Sequence, residues 1–180
     1  MHSAGPQHGD EGSARLLNFL KTRLSSSFQI IAPPMPKPDE PNYESWKQAL
    51  REIMKIMDDD MILIGHSLGG SVLLKFLSEE PVYNSINVLY LIAVPFWGLG
   101  DWEVHEFTLK HDFVKQLPVV RSIVIYQSKD DQIVSVDHAE KYASMLPGAE
   151  CHILNGHGHV FWDGLPELVS HLNQLTGVGN

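Results

Sequence analysis

Residues Gly65-His66-Ser67-Leu68-Gly69-Gly70 follow directly on the apolar run Met61-Ile62-Leu63-Ile64. A serine on a tight turn between a buried strand and a helix is presented for attack on a carbonyl carbon. Its hydroxyl must stand clear of the backbone, so the turn is strained. The neighbours must also be small, because a Cβ at Gly65 or Gly69 would collide with the adjoining strand or helix. The first free N–H groups of the following helix then point to where negative charge develops during attack, and Leu68 supplies the first of them. A glycine-flanked serine can equally be a plain surface turn. The stretch Leu68-Gly-Gly-Ser-Val-Leu-Leu-Lys-Phe-Leu77 argues otherwise, with small residues where a helix must approach a sheet and larger ones further along.

A serine nucleophile needs a base, and the base needs an acid to orient it. Downstream, the strand-like Ser122-Ile-Val-Ile-Tyr126 runs into Gln127-Ser128-Lys129-Asp130-Asp131-Gln132-Ile133-Val134. A second short strand, Glu150-Cys-His-Ile-Leu154, runs into Asn155-Gly156-His157-Gly158-His159. Both candidate groups lie just past the C-terminal ends of expected strands, where open α/β sheets place their sites. Either aspartate can be a turn residue instead. The H-x-H pair hints at metal, but no third ligand stands at a recognisable spacing, and no metal site is expected. His152 alternates with Cys151 and Ile153 along a strand and reads as structural. His66 neighbours the nucleophile in sequence but points away from it, so it reads as a packing and hydrogen-bonding residue. Cys151, the only cysteine, reads as a small buried apolar group.

These loops need a scaffold, and the chain alternates strand and helix patterns from end to end. Residues 13–24 carry Leu16, Leu17, Leu20 and Leu24 on one helical stripe. Residues 28–32 read as a strand. Pro33, Pro34, Pro36, Pro38 and Pro41 make 33–41 an extended loop. An amphipathic helix is expected over 43–57, and a long aliphatic strand, covered on both faces, over 86–94. Strand, helix, strand and helix follow over 122–127, 136–146, 150–154 and 161–175. No repeat and no linker interrupts the pattern, so one domain over 1–180 is expected. Residues 95–117 hold Phe96, Trp97, Trp102, Phe107 and Phe113. Trp97 and Trp102 are the candidates for walling an apolar substrate pocket. The alternative is that these aromatics anchor a helix between two strands. The segment is too short for a cap domain.

The 180 residues, 43% of them hydrophobic, suffice for a real core. A formal charge of −9 disfavours nucleic acid and anionic membrane as partners. With neither a signal peptide nor a transmembrane run in the sequence and a single cysteine, a reducing, cytoplasmic setting is expected.

Taken together, these pieces resemble the α/β-hydrolase superfamily, and within it the small lidless serine hydrolases grouped with retinoblastoma-binding protein 9 and the bacterial YdeN-type proteins. The matching residues are His2-Ser-Ala-Gly5 as an HG-like loop, Met35-Pro-Lys-Pro38 ahead of a helix containing Trp46, and Ile64-Gly-His-Ser-Leu-Gly69. Asp130-Asp131-Gln-Ile-Val134 and Gly158-His159-Val160 complete them. The resemblance implies a three-layer, doubly wound, mostly parallel sheet without a cap, and no cofactor. Its acid pattern selects Asp131 over Asp130, and its histidine pattern selects His159 over His157. The expected catalytic set is therefore Ser67, Asp131 and His159, with Leu68 and Ala4 as oxyanion donors, although Ser3 stands where that motif usually has glycine.

The resemblance also implies a strand just before the HG-like loop, beside the elbow strand, yet only Met1 precedes His2. Either the start as written is several residues late or that first central strand is missing. If it is missing, residues 28–32 and the elbow strand flank a gap. The implied activity is hydrolysis of a small-molecule ester or acyl substrate through an acyl-enzyme. A serine peptidase or amidase, or a weakly catalytic binding protein of the same fold, are the alternatives. A pocket-protein partner is not supported, since L-x-C-x-E does not occur.

Overall fold

The computed structural model describes residues 1–7, 9, 11–103 and 105–175. Its elements run α1 (Ala14–Arg23), α2 (Tyr43–Met54), β1 (Met61–His66), α3 (Leu68–Glu79), β2 (Ile86–Ile92), α4 (Phe113–Gln116), β3 (Val120–Ser128), α5 (Val136–Met145), β4 (Glu150–Leu154) and α6 (Pro166–Leu175). The four strands form one wholly parallel sheet in the order β1-β2-β3-β4. Parallel neighbours need long crossovers, which lay helices on both faces and leave the strands dry. Strand alternation sorts the core accordingly. Leu89 and Leu91 of β2 pack with Trp46, Leu73, Phe113 and Tyr142 on one face. Val88, Tyr90 and Ile92 pack with Leu16, Leu20, Leu165 and Leu168 on the other. The result is the expected three-layer α/β architecture. Among the described residues, no helix is long and apolar enough to cross a membrane.

Residues 28–32 are a correction: they form no strand. A strand is defined by its partners, and the place between this segment and β1 holds no strand among the described residues. One residue stands in for it. The Met1 nitrogen donates to the Ile64 carbonyl, and the Met1 carbonyl accepts from the His66 N–H at 3.2 Å, a parallel bridge one residue long. Beyond it lies an apolar cleft of about 180 Å³ lined by Ile62, Ile64, Ile30, Leu20, Leu24 and Met54 among others.

Two helix boundaries also move. The α2 helix stops at Met54, short of 57. The α6 helix starts at Pro166 and not at 161, because Phe161 and Gly164 take positive φ values of 54° and 82° that no helix continues through. Pro166 then supplies the preset φ of a first helical residue.

One polar clamp fixes α2 on α3. The Glu80 carboxylate takes a two-pronged contact from Arg51 (2.9 Å each) and an ion pair from Lys47 at 2.9 Å. Glu79 accepts from the Tyr43 hydroxyl at 2.7 Å and pairs with Lys75 at 3.1 Å.

Candidate active site

Ser67 caps α3 with φ 51° and ψ −127°, a conformation that an L-residue adopts only under constraint from its surroundings. Glycines make the constraint possible. A Cβ at Gly65 would overlap the Gly70 backbone, and one at Gly69 would run into the His2 carbonyl oxygen. The elbow, α3 and the 2–5 loop are thus pressed together with no side chain between them. Ser67 N–H donates to the Ile92 carbonyl at 2.8 Å, and Gly70 N–H closes the turn onto the Ser67 carbonyl at 2.9 Å. Leu68 is the first residue of α3, so its N–H is among those a helix start leaves without an internal partner.

Two loops from the far side of the sheet converge on this serine. His159 Nε2 lies 2.9 Å from Ser67 Oγ, and His159 Nδ1 lies 2.8 Å from Asp131 Oδ2. Of the two aspartates it is Asp131 that meets the imidazole, and of the two loop histidines it is His159. The Asp131 side chain is fully buried and that of His159 is 11% exposed. Burial opposes charge on Asp131, but the His159 ring and the Val134 and Ile133 N–H donors outweigh it and hold the carboxyl below its ordinary range. Those two N–H groups reach Asp131 Oδ1 at 2.9 and 2.8 Å.

Four supporting residues were not assigned these roles from the sequence. Gln127 Nε2 donates to Asp131 Oδ2 at 2.9 Å and to the Val134 carbonyl at 2.8 Å. Asp130, the aspartate not facing the imidazole, clamps the histidine loop instead. It accepts from Gly156 N–H at 2.9 Å and Gly158 N–H at 3.2 Å, and from the Ser128 hydroxyl. These donors, the Ser128 hydroxyl first, keep its carboxyl low. His66 and Ser13 bridge the histidine loop and the 2–5 loop. The aspartate doublet and the elbow histidine were visible signals for two of the four; Gln127 and Ser13 carried none.

His157 turns aside and stacks on Phe161 with ring centroids 5.3 Å apart. His152 stacks on Tyr126 at 5.1 Å. Cys151 is half-buried, and burial raises its thiol pKa, so it is a poor thiolate source. Ala4 lies on the exposed part of the 2–5 loop, whose position is fixed by Gly5 N–H on the Pro38 carbonyl at 2.8 Å.

The two tryptophans differ. Trp97 Nε1 donates to Ser71 Oγ of α3 at 3.1 Å, and its ring lies against Phe107 and Trp102, so it anchors the 95–117 segment. Trp102 borders a depression of about 300 Å³ together with Leu99, Ile133 and His138. Ile133, whose N–H holds Asp131, is 59% exposed.

Comparison with known proteins matches the serine hydrolase family over residues 10–169. The chain belongs to the serine hydrolase family. One relative of this serine hydrolase, YdeN of Bacillus subtilis (strain 168), is 27% identical over 148 residues, which are 81% of this chain and 77% of YdeN. The crystal structure of the B. subtilis ydeN gene product superposes with a TM-score of 0.69 at 24% identity, covering 81% of each chain. CarC, a serine hydrolase involved in carbazole degradation, gives 0.65 at 16% identity over 98% of this chain and 89% of its own. The meta-cleavage product hydrolase CumD of Pseudomonas fluorescens IP01 gives 0.68 at 13%, over 98% and 91%. These structural likenesses establish the α/β-hydrolase fold.

Proposed function

We propose that this serine hydrolase cleaves ester-like substrates by two-step acyl transfer, with Ser67 as nucleophile, His159 as general base and Asp131 as its orienting acid. The observation that carries this is the doubly bonded His159 ring, at 2.9 Å from Ser67 Oγ and 2.8 Å from Asp131 Oδ2. Asp131 faces Nδ1 as a carboxylate, so Nδ1 bears the proton and Nε2 is free to take one from the serine hydroxyl. As Ser67 Oγ bonds to the carbonyl carbon, its proton passes to His159 Nε2. The carbonyl π electrons move onto oxygen, where the Leu68 N–H, with Ala4 on the 2–5 loop, receives the charge. His159 then protonates the departing alkoxide. A water attacks the acyl-enzyme in the same manner, restoring Ser67 and releasing the acid. The depression lined by Trp102, Leu99 and Ile133 together with Asp101, Ser135, Asp137 and His138 is the candidate seat of a small acyl substrate, and Trp97 packs against Trp102. The single cysteine is the reason for placing the protein in the cytoplasm.

A fluorophosphonate probe should label the wild type and leave Ser67→Ala unlabelled, and an activated ester should give a burst of alcohol release. Asp131→Asn should lower kcat by about 10⁴. Labelling that survives in Ser67→Ala would end this reading. Turnover of amides but not esters would move the protein to the amidases on the same residues.

A further inference from the structure

His66 is one residue from the nucleophile, 1% exposed, and has no part in the reaction just described. Its hydrogen bonds have only one consistent polarity. Nε2 lies 2.8 Å from the His159 carbonyl oxygen, which can only accept, so Nε2 carries the ring proton. The other nitrogen, Nδ1, is then an acceptor, and Ser13 Oγ at 2.7 Å must give it its single proton. That leaves Ser13 Oγ to accept, and it does so from the Ser3 N–H at 2.7 Å, with Ser3 Oγ 3.1 Å away. Donation therefore runs in one direction, from Ser3 to Ser13 to His66 to the His159 backbone.

All the intermediate groups are buried, Ser3 at 5% and Ser13 at 6% exposure. Water is therefore a poor substitute for any link, and a broken one is left unsatisfied. The neutral ring is a requirement of the chain, since a doubly protonated imidazole has no acceptor for Ser13. Burial, with His159 beside it, holds the His66 pKa at about 3. Gly12, at φ 51°, brings Ser13 into reach, and a Cβ there would lie 2.9 Å from Ser3 Oγ.

The two ends of the chain are what give it meaning. One end is the main chain of the residue whose ring contacts Ser67. The other is the loop that carries Ala4 and lays its His2 carbonyl over Gly69. We propose that His66 and Ser13 are positioning residues, a one-way hydrogen-bond chain that holds the general-base loop and the 2–5 loop in fixed register on either side of Ser67. The kinetic consequence rests on the acyl-transfer reading above; the structural coupling does not.

The test uses Ser13→Ala, with Ser13→Thr as the variant that keeps the hydroxyl. His66→Gln, which keeps a donor towards His159 but shifts the acceptor away from Ser13, is the second variant should Ser13→Ala fail to fold. Ser13→Ala should lower kcat on an activated ester by about 10-fold or more with KM nearly unchanged, as misplaced reacting groups do. Ser13→Thr should recover most of it. Independently of activity, nitrogen–proton NMR of the imidazoles should show His66 protonated on Nε2 in the wild type. The His159 ring signals should then move in Ser13→Ala or His66→Gln. Unmoved His159 signals, or a wild-type His66 protonated on Nδ1, would overturn the proposal whatever the turnover. If His159 responds while the wild type neither labels nor turns over ester, the coupling stands and the acyl-transfer reading is what fails.

Discussion

The Asp131 carboxylate shows how many contacts from neighbouring residues fix one side chain of the candidate site. Each of its oxygens receives two hydrogen bonds, Oδ1 from the 133 and 134 backbone and Oδ2 from His159 and Gln127. That shell fixes the carboxylate plane and therefore the imidazole, and it stabilises charge in a fully buried side chain. Gln127 is the part no sequence pattern could show. It is one more residue of a strand, and its amide orientation is set by two acceptors at once, Asp131 Oδ2 and the Val134 carbonyl. Gln127→Met removes one donor to a charged acceptor and keeps the volume. On an activated ester it should lower kcat by roughly 10- to 100-fold, the worth of such a bond. It should also raise the Asp131 pKa, since the donor that is lost stabilised the charged form. A kcat within twofold of wild type would show that the backbone donors alone suffice. Asp130 teaches the companion lesson. An aspartate doublet was legible as one acid and one spare, and the spare turns out to pin the Gly156 and Gly158 amides that set the histidine loop.

At the scale of elements, what the sequence shows well is whatever is local. The run of small residues after Ser67 announced α3, and the β4 pattern at 150–154 matches residue for residue. Boundaries set by tertiary geometry were not visible. The start of α6 depends on Phe161 taking φ 54° beneath the histidine loop, and nothing about a phenylalanine advertises that. The charge clamp between α2 and α3 is equally non-local, since Lys47, Arg51, Glu79 and Glu80 face one another only once the helices pack. Arg51, followed by Lys47, holds the Glu80 pKa at about 2 against the cost of burial. The folded value is below the ordinary 4.5, so the contribution is complete above the unfolded pKa and disappears as pH falls through the folded one. Glu80→Gln should therefore cost about 1 kcal/mol near neutral pH, as for a partly exposed ion-pair network. The gap between the urea midpoints of wild type and variant should begin to narrow below about pH 4.5 and close only as the pH falls through about 2. A gap that does not narrow would mean that packing, and not charge, is what the substitution removes.

For the whole molecule, the consequential feature is the place beside β1. Residues 28–32 carried a convincing strand pattern in Phe28, Ile30 and Ile31, and yet among the described residues they pair with no strand, because pairing depends on what lies alongside. Among the described residues β1 stands at the rim of the sheet, with the apolar cleft outside it. The consequence can be read from backbone directions. The N–H groups of Met61 and Ser67 turn towards β2, onto the Ser85 and Ile92 carbonyls, whereas the His66 N–H turns outward to Met1. By alternation, the Leu63 and Gly65 N–H groups lie in the β1–β2 ladder, and those of Ile62 and Ile64 face the cleft. Native-state hydrogen exchange should therefore alternate along one strand. Leu63 and Gly65 should be protected to nearly the level of β2 and β3, and Ile62 and Ile64 should exchange through small local openings. Uniform protection from 62 to 65 would mean that another segment covers this rim in solution. Uniform lability would mean that β1 itself frays, and with it the turn that presents Ser67. Alternation alone is consistent with a strand held firmly from one side, which is what a strained elbow at its end requires.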